Sequence, residues 1–244
     1  MPRFFVNKDK ITEGHVEIEG QDAFHIARSL RMAVGDYITL CDGEGSEYSA
    51  ILTKIRDDIC LCEIKETTES KTELPVSVTL FMAYPKGDKM ETVVQKAVEL
   101  GAQRIVPFDS SRCIKRPKAE KTDKLLARLN RIAEEAAKQC GRSKLPLVEP
   151  PLSYKEMLKS ASSLDISFFC YEDEQKKSLK HELESVANVS SVGIIVGSEG
   201  GFSPEEATLA SDFGCVPVTF GKRILRCETA PIFALSCIAY RFEL

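Results

Sequence analysis

Two glycine-bearing loops near the end of the chain hold the residues best suited to chemistry. In the first, the apolar run Ile194–Val196 leads into Gly197-Ser198-Glu199-Gly200-Gly201, and Ser203-Pro204-Glu205-Glu206 then starts a helix with a predicted capping box. Glycine lets the backbone bend sharply and approach a ligand closely. The G-x-x-G-G spacing matches neither the dinucleotide fingerprint nor the phosphate loop, and a glutamate inside the loop would repel a polyphosphate. This loop alone indicates either a ligand without phosphates, such as an adenosine, or only a tight turn.

The second loop also follows a short predicted strand and precedes a helix. It combines one glycine with three cations and one carboxylate, in the order Thr219-Phe220-Gly221-Lys222-Arg223-Ile224-Leu225-Arg226-Cys227-Glu228-Thr229-Ala230. Ile224 and Leu225 would be wasted in a merely solvated loop, so we expect them to line a pocket. Thr229 is the predicted N-cap of the last helix.

The elements that must position these loops alternate between strand and helix. The pattern predicts strands at 76–83, 104–108, 166–171, 192–196 and 216–220, and helices at 89–100, 121–140, 175–186, 203–213 and 229–242. This alternation favours a mostly parallel sheet with helices on both faces. Such sheets bind ligands at the carboxyl ends of their strands, which is where both loops lie.

The first seventy residues have a different pattern. We predict a helix at 22–30, strands at 37–41, 47–55 and 59–66, a turn at 42–45 and a polar linker at 66–73. Cys60 and Cys62 would then share one strand face. The sequence therefore predicts a compact β-rich domain over 1–70 and an α/β domain over 75–244.

Composition narrows the class of protein. The chain has 43% hydrophobic and 29% charged residues, and no run of eighteen apolar residues or signal-peptide pattern is evident. We therefore expect a soluble, cytoplasmic protein without a membrane span. The nine cysteines and three histidines show no metal-ligand spacing, so we expect reduced thiols and no metal.

The net charge of −4 hides an uneven distribution. Residues 1–70 carry eight Lys and Arg against fourteen Asp and Glu, whereas residues 112–131 carry eight basic side chains against two acidic ones. A local basic stretch can attract a phosphate backbone, although a solvated helix face is the alternative explanation.

The two loops together resemble the SPOUT class of RNA methyltransferases. Within it the chain is most similar to the ribosomal RNA small subunit methyltransferase E family, which methylates N3 of a uridine in 16S ribosomal RNA. Further segments carry this resemblance along the whole chain, namely Arg3-Phe4-Phe5, 25–31 with Gly35-Asp36, 95–101 and 135–142. The chain departs from the family pattern at Ser198, Phe220 and Cys227, where proline, leucine and threonine are usual. These departures remove no glycine and no charged group.

The resemblance implies a fold, a cofactor and partners. The fold would be a PUA-like RNA-binding domain followed by a SPOUT domain with a parallel sheet and a C-terminal trefoil knot that forms the S-adenosylmethionine pocket. The partners would be a second copy of the chain, in a homodimer, and the 16S ribosomal RNA of the small subunit. The acidity of residues 1–70 is unusual for a domain that binds RNA.

The resemblance also assigns roles to individual residues. Arg226 would stabilise negative charge on the target base, and Glu228 or Glu199 would accept the proton or orient Arg226. The expected cofactor contacts are Phe169, Tyr171, Gly197, Gly200, Gly201, Phe220, Gly221, Ile224 and Leu225. Phe169 and Tyr171 could equally belong to the sheet core. The expected RNA contacts are Arg3, Arg28, Arg31, Arg112, Lys115, Arg116, Arg142, Lys222 and Arg223.

Three alternatives stay open at this point. A related SPOUT enzyme could methylate the ribose 2′-oxygen or another base position. A non-catalytic RNA-binding assembly factor could keep the fold without the chemistry. A nicotinamide-dependent α/β enzyme is disfavoured because the dinucleotide fingerprint is missing.

Overall fold

The computed structural model describes residues 1–113 and 119–244, with the backbone alone at 119–121. The chain forms two compact units, an N-terminal unit of Met1–Glu73 with Ala137–Leu145, and a C-terminal unit of Leu74–Ala136 with Pro146–Leu244. The sequence assigned residues 137–145 to the second domain, but the structure groups them with the first unit. This grouping depends on contacts between residues far apart in the chain, which periodicity does not reveal.

A six-stranded sheet forms the N-terminal unit. Its strands are β1 (Arg3–Phe5), β2 (Ile11–Thr12), β3 (His15–Glu19), β4 (Tyr37–Cys41), β5 (Ser46–Ile55) and β6 (Ile59–Glu69). Their order is β1-β4-β5-β6-β3-β2, and the β1–β4 pair is parallel while the other pairs are antiparallel. The predicted turn at 42–45 is present, because Asp42 accepts backbone hydrogen bonds from Glu44, Gly45 and Ser46.

Two predictions for this unit need correction. The linker expected at 66–73 is wrong over its first part, since β6 continues to Glu69, which pairs with Ser46 of β5. The helix expected at 22–30 consists of helix α1 (Gly20–Phe24) followed by a π-helical turn at His25–Ser29. The prediction that Cys60 and Cys62 share one face is confirmed, because both thiols are fully buried in the same core.

A parallel sheet forms the C-terminal unit, as predicted. Its strands are β7 (Ser77–Ala83), β8 (Arg104–Asp109), β9 (Leu147–Val148), β10 (Leu152–Ser153), β11 (Ile166–Cys170), β12 (Ser191–Val196) and β13 (Val216–Val218). The order is β10-β8-β7-β12-β11-β13, with β9 also beside β8, and all pairs among the described strands are parallel.

Among the described residues, five helices lie between these strands and a sixth follows the last strand. They are α2 (Lys89–Glu99), α3 (Ala119–Cys140), α4 (Tyr154–Ala161), α5 (Leu179–Ser185), α6 (Pro204–Asp212) and α7 (Thr229–Phe242). Helix α5 is shorter than predicted because Glu174 accepts the backbone N–H groups of Lys176 and Lys177 in a turn, and Ser178 then caps the helix. Among the described residues no helix has the length and apolar character needed to span a membrane.

Both faces of the parallel sheet are buried. Phe169 and Ile195 point to one face and pack with Met157 of α4, whereas their neighbours Phe168 and Ile194 are equally buried on the other face. Strands covered on both sides read as continuous apolar runs, which explains why they were recognisable in the sequence. The polar chemistry of this unit is thereby left to the loops at the strand ends.

Candidate active site

A cavity of about 500 Å³ lies where the first loop (residues 197–201) and the second loop (residues 219–228) follow β12 and β13. Its volume is that of a site for a small organic ligand. Its lining consists of Lys89, Cys170, Tyr171, Glu172, Val196, Gly197, Ser198, Glu199, Gly200, Gly201, Val218, Thr219, Phe220, Gly221, Arg223, Ile224, Leu225, Arg226, Cys227 and Ala230. Both loops thus line a single cavity at the carboxyl ends of parallel strands.

The first loop is held by the start of α6. The predicted capping box is confirmed, since Ser203 caps the helix, Glu206 binds back to it, and Pro204 occupies the first turn. The Glu206 carboxylate also accepts hydrogen bonds from the Ser111 N–H at 2.7 Å and the Ser111 hydroxyl at 2.9 Å. A single buried carboxylate therefore joins the segment after β8 to the segment after β12.

Two glycines of the first loop lie against neighbouring side chains. Gly201 has a φ of +62°, and a Cβ there would lie 1.7 Å from Oε1 of Glu172. A Cβ at Gly200 would lie 2.9 Å from the Cβ of Arg112, whose guanidinium donates to the Gly200 carbonyl at 3.1 Å. Close packing with other segments, and not only approach to a ligand, explains these positions.

Lys89 links the two loops. Its ammonium lies 2.9 Å from Oε1 of Glu199 in the first loop and 3.1 Å from Oε2 of Glu228 in the second. Glu199 also accepts the backbone N–H of Lys86, and the Cys227 thiol donates to Glu228 at 3.2 Å. Both candidate proton acceptors are therefore engaged with a lysine, and neither is paired with Arg226.

The electrostatics of this cluster fix its protonation states. Burial opposes ionisation of Glu199, but hydrogen bonds from Lys89 and from backbone N–H groups lower the pKa of Glu199 to about 2. Burial, followed by the neighbouring carboxylates, raises the pKa of Cys227 to about 12. The hydrogen bonds that the Lys89 ammonium donates to Glu199 and Glu228 raise the pKa of Lys89. At neutral pH the cluster contains an ammonium, two carboxylates and a neutral thiol, so Glu199 is a weak base.

Among the residues that the structure describes, Arg226 is unpaired, unlike Lys89, Glu199 and Glu228. Its side chain is exposed and lines the cavity, and within the described chain its guanidinium has no hydrogen-bond or ion-pair partner. Its carbonyl accepts the N–H groups of Thr229 and Ala230. The predicted N-cap role of Thr229 is wrong, because Glu228 holds the N-cap position and Thr229 is the first helical residue. Arg226 is thus available for negative charge on a ligand.

Apolar groups line the side of the cavity formed by the second loop. Phe220 and Leu225 are half-buried, and the Phe220 ring lies 5.2 Å from that of Phe233 on α7. Ile224 lines the cavity but is 88% exposed, so in this chain alone it covers little. Gly221, with a φ of +98°, allows the chain to turn between Phe220 and Ile224.

Phe169 does not contribute to the cavity lining. The resemblance placed it, with Tyr171, either among the cofactor contacts or in the sheet core. The second alternative holds for Phe169, because it is fully buried and its ring centroid lies 4.3 Å from that of Phe202. Cys170 and Tyr171, the next residues along the chain, do line the cavity. At the end of β11, the position of a residue along the chain, rather than the apolar character of its side chain, decides whether it lines the cavity.

The basic residues expected to contact RNA in the C-terminal unit are found in different settings. Lys222 and Arg223 are exposed in the second loop, and Arg223 lines the cavity. Arg112 is exposed and bound to the Gly200 carbonyl. Lys115 and Arg116 lie outside the described residues.

In the N-terminal unit most of the expected RNA contacts are committed to carboxylates. The RNA contact expected of Arg142 is wrong, because its guanidinium is only 3% exposed and is bound to Glu73 at 2.7 Å. The guanidinium of Arg3 is mostly buried and bound to Glu47 at 2.8 Å. Two further arginines are exposed, Arg28 in an ion pair with Asp57 and Arg31 in the left-handed backbone region.

Sequence reasoning missed Lys89 and Glu172. A signal for Lys89 existed, since it follows the predicted strand at 76–83 by a few residues, and the carboxyl ends of all parallel strands share one edge. That β7 lies directly beside β12 became known only from the sheet order. Among the described residues, no group of three His, Cys, Asp or Glu side chains is placed to hold a metal ion.

Comparison with known families defines the class of protein. A family model described as an RNA methyltransferase domain matches residues 72–239, and one described as an RNA methyltransferase PUA domain matches residues 18–65. The fold and the cavity are therefore those of an RNA methyltransferase with a PUA-like domain.

Relatives extend this likeness over the whole chain. The ribosomal RNA small subunit methyltransferase E of Bacillus subtilis is 34% identical, covering 100% of this chain and 98% of the relative. The protein of the same name from Synechocystis is 32% identical, covering 97% of this chain and 76% of the relative. The crystal structure of the Neisseria gonorrhoeae protein of that name, bound to S-adenosyl methionine, superimposes with a TM-score of 0.89 at 32% identity, covering 99% of this chain and 98% of that one. The chain belongs to the ribosomal RNA small subunit methyltransferase E family.

Proposed function

We propose that this enzyme transfers the methyl group of S-adenosylmethionine to N3 of a uridine in the 16S ribosomal RNA of the small subunit. The observation that carries the proposal is the cavity shared by the two loops, with the unpaired Arg226 in its lining. Family membership supports the reaction class and the ribosomal substrate. The choice of N3 rests on the family resemblance.

The cavity suits an adenosine-containing sulfonium. Backbone groups of Gly197, Gly200 and Gly201 would approach the adenosine and methionine parts, and Phe220 and Leu225 would contact the adenine. The ionised Glu199 in the lining disfavours polyphosphate ligands and is compatible with a positively charged one. The Neisseria gonorrhoeae relative was crystallised with this cofactor.

The reaction asks the protein mainly for position and charge. S-adenosylmethionine supplies an activated methyl group on a sulfonium whose sulfur leaves as a neutral thioether. Uridine N3 would attack that methyl carbon as its own proton departs, so negative charge develops on the base. Arg226, which lines the cavity, would stabilise that charge. The target base must also leave any stack to enter the cavity.

The engaged carboxylates are poor general bases for this proton. Glu199, with a pKa of about 2, holds a proton weakly. Glu228 is bound to Lys89 and to the Cys227 thiol, and it does not belong to the described cavity lining. We therefore infer that the uridine proton passes to solvent while Arg226 stabilises the anion. Both glutamates would then hold the loops in position rather than accept the proton.

The basic side chains around the cavity would hold RNA phosphates. Lys222 and Arg223 are exposed beside it, and Arg112 is exposed on the neighbouring segment. Charge reversal at Arg112, Lys115 and Arg116 should weaken RNA binding and flatten its salt dependence. Unchanged binding across a salt titration would contradict this assignment.

We further propose a homodimer that acts in the cytoplasm, where ribosomal subunits are assembled, and a C-terminal trefoil knot. Exposed apolar residues on and after α7, Phe233, Tyr240 and Leu244, support a partner on that face, as does the exposed Ile224. In favour of the knot, β13 lies at the sheet edge while the following α7 packs back against β12, α2 and α5. Sedimentation velocity tests the dimer. A single monomeric species at micromolar concentration would exclude it.

The decisive experiment is methylation of small subunits purified from a strain that lacks this enzyme, followed by mass spectrometry of the nucleosides. We expect 3-methyluridine, whereas a 2′-O-methylated ribose or no product would overturn the proposal. Arg226→Met should lower kcat by about 100- to 1000-fold, the usual cost of losing a charge-stabilising donor. Lys180→Met, which removes an exposed cation on α5, is the charge-matched control and should leave kcat unchanged.

A further inference from the structure

We propose that Lys89 is a positioning residue that ties the two cofactor loops into one site, an assignment that rests on the proposed S-adenosylmethionine site. Lys89 is the first residue of α2, a helix that belongs to neither loop. Its ammonium reaches Glu199 at 2.9 Å and Glu228 at 3.1 Å, so one cation bridges a carboxylate from each loop.

The bridge is a specific arrangement rather than a chance surface pair. The side chains of Lys89, Glu199 and Glu228 are each about one-quarter to one-third exposed, at 32%, 25% and 28%. Lys89 also lies 3.7 Å from the Cys227 sulfur, and Cys227 itself is buried and bound to Glu228. The groups facing the ammonium are therefore two carboxylates and a thiol, all from the loops.

Charge balance explains why the loops need this cation. Without Lys89, two carboxylates would face the same space with a neutral thiol between them. Like charges at short distance repel, and the loops can relieve the repulsion only by separating or by taking up a proton. Separation would open the cavity that both loops line, because Glu199 and Cys227 are themselves part of its lining.

Lys89→Met should therefore weaken binding of S-adenosylmethionine and of S-adenosylhomocysteine alike, by on the order of 10- to 100-fold, the cost of losing hydrogen bonds to charged groups. The second ligand lacks the sulfonium charge, so its weakening reports loop geometry rather than attraction to the cavity. Lys89→Arg should retain most of the affinity, because it keeps the cation. The matched control is Lys96→Met, which removes a lysine paired with Glu99 at 2.8 Å on the same helix, and it should bind both ligands normally.

Two readouts distinguish positioning from a general loss of structure. In Lys89→Met, adding Glu228→Gln removes one of the repelling carboxylates and should recover part of the lost affinity. Lowering the pH from 7 to 5 should likewise improve ligand binding by Lys89→Met, since one carboxylate then takes up a proton, whereas the wild type should show no such gain. Calorimetric titration measures both effects.

The outcomes separate this inference from the proposed function. If the wild type fails to bind S-adenosylmethionine, the proposed function fails, and hydrogen exchange at residues 197–201 and 219–228 still tests the bridge, because Lys89→Met should speed exchange in both loops. If Lys89→Met binds as tightly as the wild type, or exchanges identically, the bridge has no positioning role. A loss of affinity that neither Glu228→Gln nor lower pH relieves would also overturn the inference.

Discussion

Replacement of Arg142 by methionine should destabilise the N-terminal unit rather than weaken RNA binding. The Arg142 guanidinium is 3% exposed and Glu73 is 10% exposed, and the shortest contact between them is 2.7 Å. Glu73 also accepts the backbone N–H of Lys144 at 3.2 Å. Arg142→Met leaves this carboxylate buried without its cation, and breaking a buried pair in this way costs about 3–5 kcal/mol.

The control is an ion pair of the same types on the surface. Arg131 and Glu135 are 67% and 61% exposed and lie 2.9 Å apart on α3. Water and salt screen such a pair, so Arg131→Met should change the free energy of unfolding by about 0–1 kcal/mol. The double variant Arg142→Met with Glu73→Met should recover much of the loss, because an apolar pair has no buried charge.

Urea unfolding is combined with native-state hydrogen exchange, of the β4–β6 peptides for Arg142→Met and of the α3 peptides for Arg131→Met, because the two pairs belong to different units. It measures the free energy of unfolding of the unit that each variant alters. RNA affinity is measured in parallel over a range of salt concentrations, under conditions where each variant is folded. The reasoning would be refuted if Arg142→Met left the unfolding free energy within about 1 kcal/mol of the wild type. It would equally be refuted if that variant, still folded, bound RNA with a smaller salt slope, since Arg142 would then be a phosphate contact.

Three further outcomes are expected. The pKa of Glu199 is lowered to about 2 from an ordinary 4.5, so its ionised form stabilises the first loop above pH 4.5, and this contribution is lost only as the pH falls towards 2. Cofactor titrations should therefore show no effect of this carboxylate between pH 8 and 5. A midpoint near 6 would contradict the prediction. Gly201→Ala places a methyl group against Glu172 at a φ of +62° and should weaken cofactor binding in calorimetry. The control Gly214→Ala, at a φ of +81° with open space around it, should carry backbone strain of about 1–2 kcal/mol and bind the cofactor normally. Arg223→Glu should weaken RNA binding and lower the salt slope by at least about 1, and an unchanged slope would remove Arg223 from the phosphate contacts.

The sequence alone predicted the layers of the C-terminal unit and the place of its chemistry. Apolar runs such as 192–196 are buried on both faces of a parallel sheet, and this periodicity is a local property that survives in the sequence. The capping box of Ser203 and Glu206 is equally local, since its partners are three residues apart. The first loop was recognisable for the same reason.

Only the tertiary structure decided which side chains meet. Lys89 and Glu228 are distant in the chain and come together because β7 lies beside β12 in the sheet and α7 packs against α2. The resemblance left Phe169 between the cofactor contacts and the sheet core and assigned Arg142 to RNA, whereas in the structure Phe169 lies in the core and Arg142 is paired with a carboxylate. Residue type determines what a side chain can do, and long-range packing determines whether it faces a ligand, a neighbour or the core.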